Sequence, residues 1–98
     1  MRPENTEMYL RGARSYSSLT TDEKLRFGLL LGLFLARFDT VLEYRERGMV
    51  DDVYVVFHSD AIRIMFEYPG VHEWCETSRQ FRGLPARIKE WLAENVNG

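Results

Sequence analysis

The sequence predicts an all-α protein, a compact bundle of four to five helices around one long central helix. Residues 26–38 form the most apolar stretch of the chain and carry apolar side chains at helical spacing. Pro69-Gly70 and Gly83-Leu84-Pro85 divide the rest of the chain into segments of helical length. With 98 residues, the chain fits a single domain over residues 1–98.

The first predicted element is an amphipathic helix within residues 1–18. Its apolar side chains Met8, Tyr9, Ala13 and Tyr16 fall near one face. Gly12 in its middle costs about 1 kcal/mol of helix propensity relative to alanine. Because the remaining residues are largely charged, we expect this helix to pack on the main body of the bundle.

The long central helix is predicted over residues 20–47. Thr20 followed three residues later by Glu23 has the spacing of a capping box, in which each side chain accepts a hydrogen bond from the other residue's backbone N–H. At the other end, Gly48 follows a polar segment and suits the left-handed conformation that closes a helix. Both ends are therefore marked by local signals.

We expect the central helix to be surrounded by other helices, because it is apolar on several sides. Its predicted inward stripe consists of Phe27, Leu31, Phe34, Phe38 and Val41. Gly28 and Gly32, four residues apart, would let a neighbouring helix approach closely. If Phe34 is buried, its replacement with alanine should cost on the order of 3–5 kcal/mol.

The same segment is too short to be a membrane anchor. Only ten uncharged residues separate Arg26 from Arg37, whereas a membrane-crossing helix needs about 20 apolar residues. The first twenty residues carry Glu4, Glu7, Arg11 and Arg14 among their charged side chains and have no apolar run, so we expect no signal peptide and no membrane span in this chain.

Residues 51–68 are predicted to form the third helix, with a β-hairpin over residues 53–68 as the alternative. The hairpin is suggested by β-branched and aromatic residues on both sides of His58. The helix would begin at Asp51 or Asp52 and end at Pro69-Gly70. Its predicted inward face comprises Tyr54, Phe57, Ala61, Ile64, Met65 and Tyr68. A lone hairpin is marginally stable, which favours the helix.

Two C-terminal helices are predicted over residues 71–81 and 85–96, with Pro85 in the first turn of the second. Their inward residues are Val71, Trp74, Ser78 and Phe81 in the first, and Ile88, Trp91, Leu92 and Val96 in the second. We expect both tryptophans to lie in the core, because large aromatic side chains supply much of the buried area of a small domain.

The order of these features resembles a family of uncharacterised small bacterial helical proteins. The residues that carry the resemblance are Leu19, Glu23, Arg26-Phe27, Gly48, Asp51-Asp52, Pro69-Gly70, Trp74 and Phe81. The resemblance covers roughly residues 18–92 and implies an all-helical fold but no known activity. Members often carry an N-terminal membrane-spanning helix, which this chain does not show, and a tryptophan where Tyr54 stands here.

The densest cluster of chemically versatile side chains lies at residues 72–76. His72 and Glu76 are four residues apart, on one helix face, and Cys75 is beside them, so the three are weak candidates for a metal or small-ligand site. There is no second pair of ligands at such spacing, and a solvated helix face with favourable charges at its start is the explanation that we favour. His58-Ser59-Asp60 has the residue types of a hydrolytic triad, but consecutive helical positions point in different directions.

Composition narrows the function classes. Thirteen basic and fifteen acidic residues give a net charge of −2, which argues against nucleic-acid binding. One cysteine permits no internal disulfide and fits a cytoplasmic protein, with peripheral attachment to the inner membrane as the alternative. We therefore expect a homo-oligomer or a module that binds another protein, with no catalytic activity and no cofactor. The alternative is a metal- or small-ligand-binding protein that uses His72, Cys75 and Glu76.

Overall fold

The structure is a computed structural model, and it describes residues 3–96. Within this range it contains six α-helices and one 3-10 turn. The helices are α1 (Pro3–Arg14), α2 (Thr21–Glu46), α3 (Asp52–Met65), α4 (Pro69–Thr77), α5 (Arg79–Arg82) and α6 (Ala86–Asn95), and the turn is Tyr16–Ser18. Over this range there is no strand, so the all-α prediction is confirmed and the hairpin alternative for residues 53–68 is wrong.

Helix α2 runs along nearly the whole length of the bundle. Its 26 residues span about 39 Å, and the molecule measures 42 × 26 × 20 Å. Helices α1, α3, α5 and α6 all pack against it, and α4 packs against α1. The core that these contacts enclose therefore lies mainly on one side of α2.

The ends of α2 agree with the local signals. The Thr20 hydroxyl accepts a hydrogen bond from the Glu23 N–H at 3.2 Å, and a Glu23 carboxylate oxygen accepts one from the Thr20 N–H at 3.0 Å. Gly48 has a φ of 69°, the left-handed conformation that a residue with a side chain rarely adopts. The predicted bounds of 20–47 thus include the two capping residues, Thr20 and Arg47.

A salt bridge ties this capping box to α1. The Arg11 guanidinium donates to both carboxylate oxygens of Glu23, at 2.9 and 2.6 Å, and also to Glu7 one turn earlier on α1. The bidentate contact with Arg11 is the main reason that the pKa of the Glu23 carboxyl is lowered to about 2. The residue that caps α2 therefore also fixes the position of α1.

Several predicted boundaries are wrong in detail. The N-terminal segment is not one helix to residue 18, because the extended backbone of Ser15 separates α1 from the 3-10 turn. The segment 71–81 is divided at Ser78, whose backbone is extended and whose hydroxyl accepts a hydrogen bond from the Gln80 N–H at 3.0 Å, capping α5. This division raises the helix count to six. The residues of the first segment before Pro3 lie outside the described range.

The two prolines also act differently from the prediction. Pro69 does not close α3, which already ends at Met65, but occupies the first turn of α4, where its missing N–H costs nothing. Pro85 lies immediately before α6 and is its N-cap residue. Both prolines therefore mark where a helix begins.

The core is built from the apolar faces of all the longer helices. Its fully buried side chains include Met8, Phe27, Leu31, Leu35, Phe38, Leu42, Val71, Trp74, Ile88 and Leu92. The ring of Phe38 meets that of Trp91 edge to face at 4.7 Å between centroids. Trp74 and Trp91 are both buried, as predicted.

Glycine lets α1 and α4 approach each other. A Cβ added at Gly70 would lie 1.7 Å from the backbone oxygen of Gly12, and one added at Gly12 would lie 2.7 Å from the Phe27 ring. The helix-propensity cost of Gly12 is therefore offset by a close contact that no larger residue permits.

Candidate interaction surfaces

The cluster at residues 72–76 lies on α4, and the structure gives its members different surroundings. His72 is partly buried, and its Nε2 is hydrogen-bonded to the backbone oxygen of Phe66, whose ring its imidazole also meets edge-on. Cys75 is partly buried, and burial, with a smaller effect from Glu76, raises the pKa of its thiol to about 12. Glu76 is exposed.

These surroundings favour a structural role for the cluster. A thiol with so high a pKa is protonated at neutral pH, whereas metal binding uses the thiolate. Across residues 3–96, no three His, Cys, Asp or Glu side chains are grouped closely enough to hold a metal ion. The metal- or ligand-binding alternative for His72, Cys75 and Glu76 stays a prediction that the geometry does not favour.

The predicted inward faces are only partly correct. On α2, Phe27, Leu31, Phe38 and Val41 are buried as predicted, but Phe34 is 41% exposed. The structure instead buries Leu35 and Leu42, one helical step farther round the helix. The expected loss of 3–5 kcal/mol for Phe34→Ala depended on burial and does not apply.

On α3 the predicted inward face is mostly the wrong one. The buried residues are Val55, Ser59, Ile62 and Met65, followed by Phe66 just after the helix. The predicted residues other than Met65 are exposed: Tyr54, Phe57, Ala61, Ile64 and Tyr68. Helix α3 has two apolar faces. The buried face includes the polar residue Ser59, so the sequence pattern favoured the other face.

The first exposed apolar surface lies on the side of α2 that faces away from the bundle. We call it the outer face of α2, and it contains Leu25, Leu29, Gly32, Leu33 and Ala36. The three leucines are 55%, 54% and 67% exposed. Apart from Gly32 itself, its two chain neighbours and the adjoining backbone of α2, no atom of residues 3–96 lies within 4 Å of the position that a Cβ at Gly32 would occupy.

The two glycines of α2 thus have different surroundings. A Cβ at Gly28 would collide with the side chain of Gln80 and would lie 2.9 Å from the Trp74 indole nitrogen. Gly28 therefore permits the close approach that the sequence predicts. Gly32 has no such neighbour within the described part of this chain.

The second exposed apolar surface is a groove of about 410 Å³ between α2 and α3, and Tyr9 of α1 also lines it. The residues that matter for its chemistry are Tyr9, Phe34, Arg37, Phe57, Ile64 and Tyr68. Buried Phe38, Ile62 and Met65 form its floor. Most of the wall residues are those that the sequence analysis assigned to the core.

Comparisons with known proteins add no relative. No family model, no curated protein and no solved structure matches this chain. The resemblance to small bacterial helical proteins therefore stays a prediction. Among the helices of residues 3–96, none is long and apolar enough to cross a membrane.

Proposed function

We propose that the protein is an interaction module that forms homodimers through the outer face of α2. The observation that carries this proposal is the exposure of Leu25, Leu29 and Leu33, each more than half accessible on one helix. Single exposed leucines are common, but a row of them along a helix is typical of a surface that another protein covers. The proposal assigns the chain no catalytic activity.

The spacing along this face makes it complementary to itself. Leu25, Leu29, Gly32 and Ala36 follow one another at intervals of four, three and four residues, the repeat of a helix–helix seam. In an antiparallel pair related by a two-fold axis, Leu25 lies opposite Ala36 of the second copy, and Leu29 lies opposite its Gly32. Each large side chain then meets a small one.

The open space over Gly32 supports a second copy as the occupant. A leucine packed against a glycine brings the two helix backbones close together, as small residues do in other helix pairs. A parallel pair would place leucine against leucine at one end and glycine against glycine at the other, which leaves a gap. Antiparallel pairing also aligns the two helix dipoles favourably.

The apolar area sets the strength of the dimer. Full burial of a leucine is worth about 1.5–3 kcal/mol, so the exposed half of each side chain contributes about 1 kcal/mol. Six such leucines in a dimer give about 6 kcal/mol, which at best slightly exceeds the estimated cost of association, about 4–15 kcal/mol, so the dimer should be weak. We therefore expect a reversible dimer whose population depends on concentration.

The test is size-exclusion chromatography with light scattering at two concentrations. We expect wild type to shift towards dimer at the higher concentration and Leu29→Glu to stay monomeric. Val53→Glu is the control, because Val53 is an 81% exposed apolar residue on α3, away from this face, and it should associate like wild type. A wild type that is monomeric at both concentrations would overturn the proposal, as would a Leu29→Glu variant that still associates.

A second variant distinguishes shape complementarity from non-specific hydrophobic association. Gly32→Leu makes the outer face more apolar but fills the space that Leu29 of the second copy needs. The proposed pairing predicts weaker association for Gly32→Leu, whereas non-specific hydrophobic association predicts an increase. Circular dichroism of each variant confirms that the fold is retained.

A further inference from the structure

We propose that the groove between α2 and α3 binds an amphipathic helix of a different protein, which pairs a carboxylate with Arg37. This inference goes beyond the homodimer and rests on different residues. Phe34 lies five positions after Leu29 on α2, which turns it about 140° from that leucine and about 100° from Leu33, the outer-face residue nearest to it round the helix. The two surfaces can therefore be occupied separately.

The groove has apolar walls on three helices and offers no backbone partners. Phe34 of α2 and Tyr9 of α1 face Phe57 and Ile64 of α3, and the residues on both sides belong to helices or their ends. Helix walls have no free strand edge, so an extended peptide would leave its backbone groups unpaired there. A helical segment satisfies its own backbone and needs only side-chain contacts.

The dimensions of the groove fit about two turns of helix or more. Along α3 its wall extends from Phe57 through Ala61 to Ile64, about 10 Å along the helix, and Tyr68 continues the lining beyond the end of α3. A helix of this length presents apolar side chains at i, i+4 and i+7, the anchors of helix-in-groove recognition. Phe57, Ala61 and Ile64 of the α3 wall have this same spacing, so the anchors of a bound helix can lie alongside them.

The exposure of the walls argues for a protein partner over a small molecule. Small-molecule sites enclose about 70–90% of the ligand surface. Here Ile64 remains 55% exposed and Phe34 41% exposed. A broad partner that covers the walls from outside buries this area, whereas a small ligand would leave much of it in water.

The charges at the groove select an acidic partner. Arg37 lines the groove and is exposed, and it makes no ion pair with any residue of the described range 3–96. The other ionisable side chains along the groove are His58 and two tyrosines, Tyr9 and Tyr68, so its lining contains no carboxylate. A glutamate or aspartate on the partner therefore meets an arginine that is available for a bidentate contact.

The experiment uses a displayed library of amphipathic helical peptides, about three to four turns long, with apolar anchors fixed and flanking positions varied. The target is the full chain carrying Leu29→Glu, with wild type selected in parallel. The selection does not require the dimer. The experiment can therefore be interpreted even if the homodimer proposal is wrong. Synthesised peptides from the enriched pool are then measured by fluorescence anisotropy.

Three variants give the readout. Ile64→Glu should weaken binding by about tenfold or more, as expected for a central apolar contact. Val56→Glu is its matched control, because Val56 is 56% exposed on the same helix but lies outside the groove lining, and it should bind within about twofold of the parent. Arg37→Glu should enrich peptides with lysine or arginine in place of the acidic residue.

Five outcomes would overturn the inference. Four of them are the absence of any enriched peptide, equal binding to Ile64→Glu and its parent, an unchanged acidic preference with Arg37→Glu, and tight binding of oleate without any selected peptide. The last result would assign the groove to a lipid. If selected peptides dissociate the wild-type dimer, the groove belongs to the interface between two copies instead. Circular dichroism of each variant checks that lost binding does not reflect unfolding.

Discussion

Glycine-to-alanine substitutions at Gly70 and Gly32 should change stability in opposite directions. At Gly70 the new methyl group would lie 1.7 Å from the backbone oxygen of Gly12 and 2.8 Å from that of Ala13. A backbone oxygen cannot rotate away as a side chain can, so the whole of α1 must retreat by about 1.5–2 Å for ordinary packing distance. That retreat would disturb Met8, which is fully buried.

The magnitudes follow from the two environments. Over-packing of a well-packed core costs about 1–3 kcal/mol, and a collision with backbone places Gly70→Ala at the upper end, about 3 kcal/mol. Gly32 lies within α2, and a new Cβ there would meet no other element of residues 3–96 within 4 Å, so Gly32→Ala should gain about 1 kcal/mol of helix propensity. The two variants should therefore differ by about 4 kcal/mol, a large part of the stability of a small domain.

The assay is urea denaturation followed by tryptophan fluorescence and far-ultraviolet circular dichroism, with both substitutions made in the Leu29→Glu chain. That background removes any contribution of dimerisation to apparent stability. Buried Trp74 reports on α4 directly. A free energy of unfolding for Gly70→Ala within about 0.5 kcal/mol of the parent would refute the close contact between α1 and α4. A destabilised Gly32→Ala would show that another element covers that glycine.

Three further predictions concern the core, the salt bridge and the thiol. Phe27→Ala should lose about 3–5 kcal/mol in denaturant titrations and half-exposed Phe34→Ala much less; equal losses would contradict the burial pattern. The pKa of Glu23 is lowered in the folded state, mainly by Arg11, so its stabilising effect is present above the unfolded pKa of about 4.3 and is lost as pH falls towards 2. The difference in unfolding free energy between wild type and Glu23→Gln should accordingly shrink between about pH 5 and pH 2, and a constant difference would count against this pairing. Iodoacetamide should alkylate Cys75 slowly at pH 8 in the folded protein and faster in urea, because burial raises its thiol pKa; equal rates would contradict that burial.

The exposed apolar area explains why the sequence misplaced part of the core. On α3, the face with Phe57 and Ile64 and the face with Val55 and Ile62 are similarly apolar. A helix buries whichever face the rest of the bundle contacts, and hydrophobic periodicity does not identify the neighbour. The face that the sequence favoured became a wall of the groove, so the misassigned residues are the candidate interaction residues.

The candidate sites differ in what the sequence could reveal. The surplus of apolar residues around α2 is visible in the sequence and predicts an interaction surface, but not which leucines stay exposed. The groove has no local signal, because Phe34 and Ile64 come from helices that are distant in sequence. His72, Cys75 and Glu76 are adjacent in sequence, yet the surroundings that hold His72 and protonate Cys75 come from the fold.

The sequence by itself determined the helical class and the ends of α2. Thr20, Glu23 and Gly48 act within one turn of their own positions, so their effect on the backbone can be read without knowing the fold. Tertiary structure alone decided which faces are buried and where the exposed surfaces lie. Burial depends on contacts between distant segments, such as Gly12 against Gly70, and these exist only once the helices have packed.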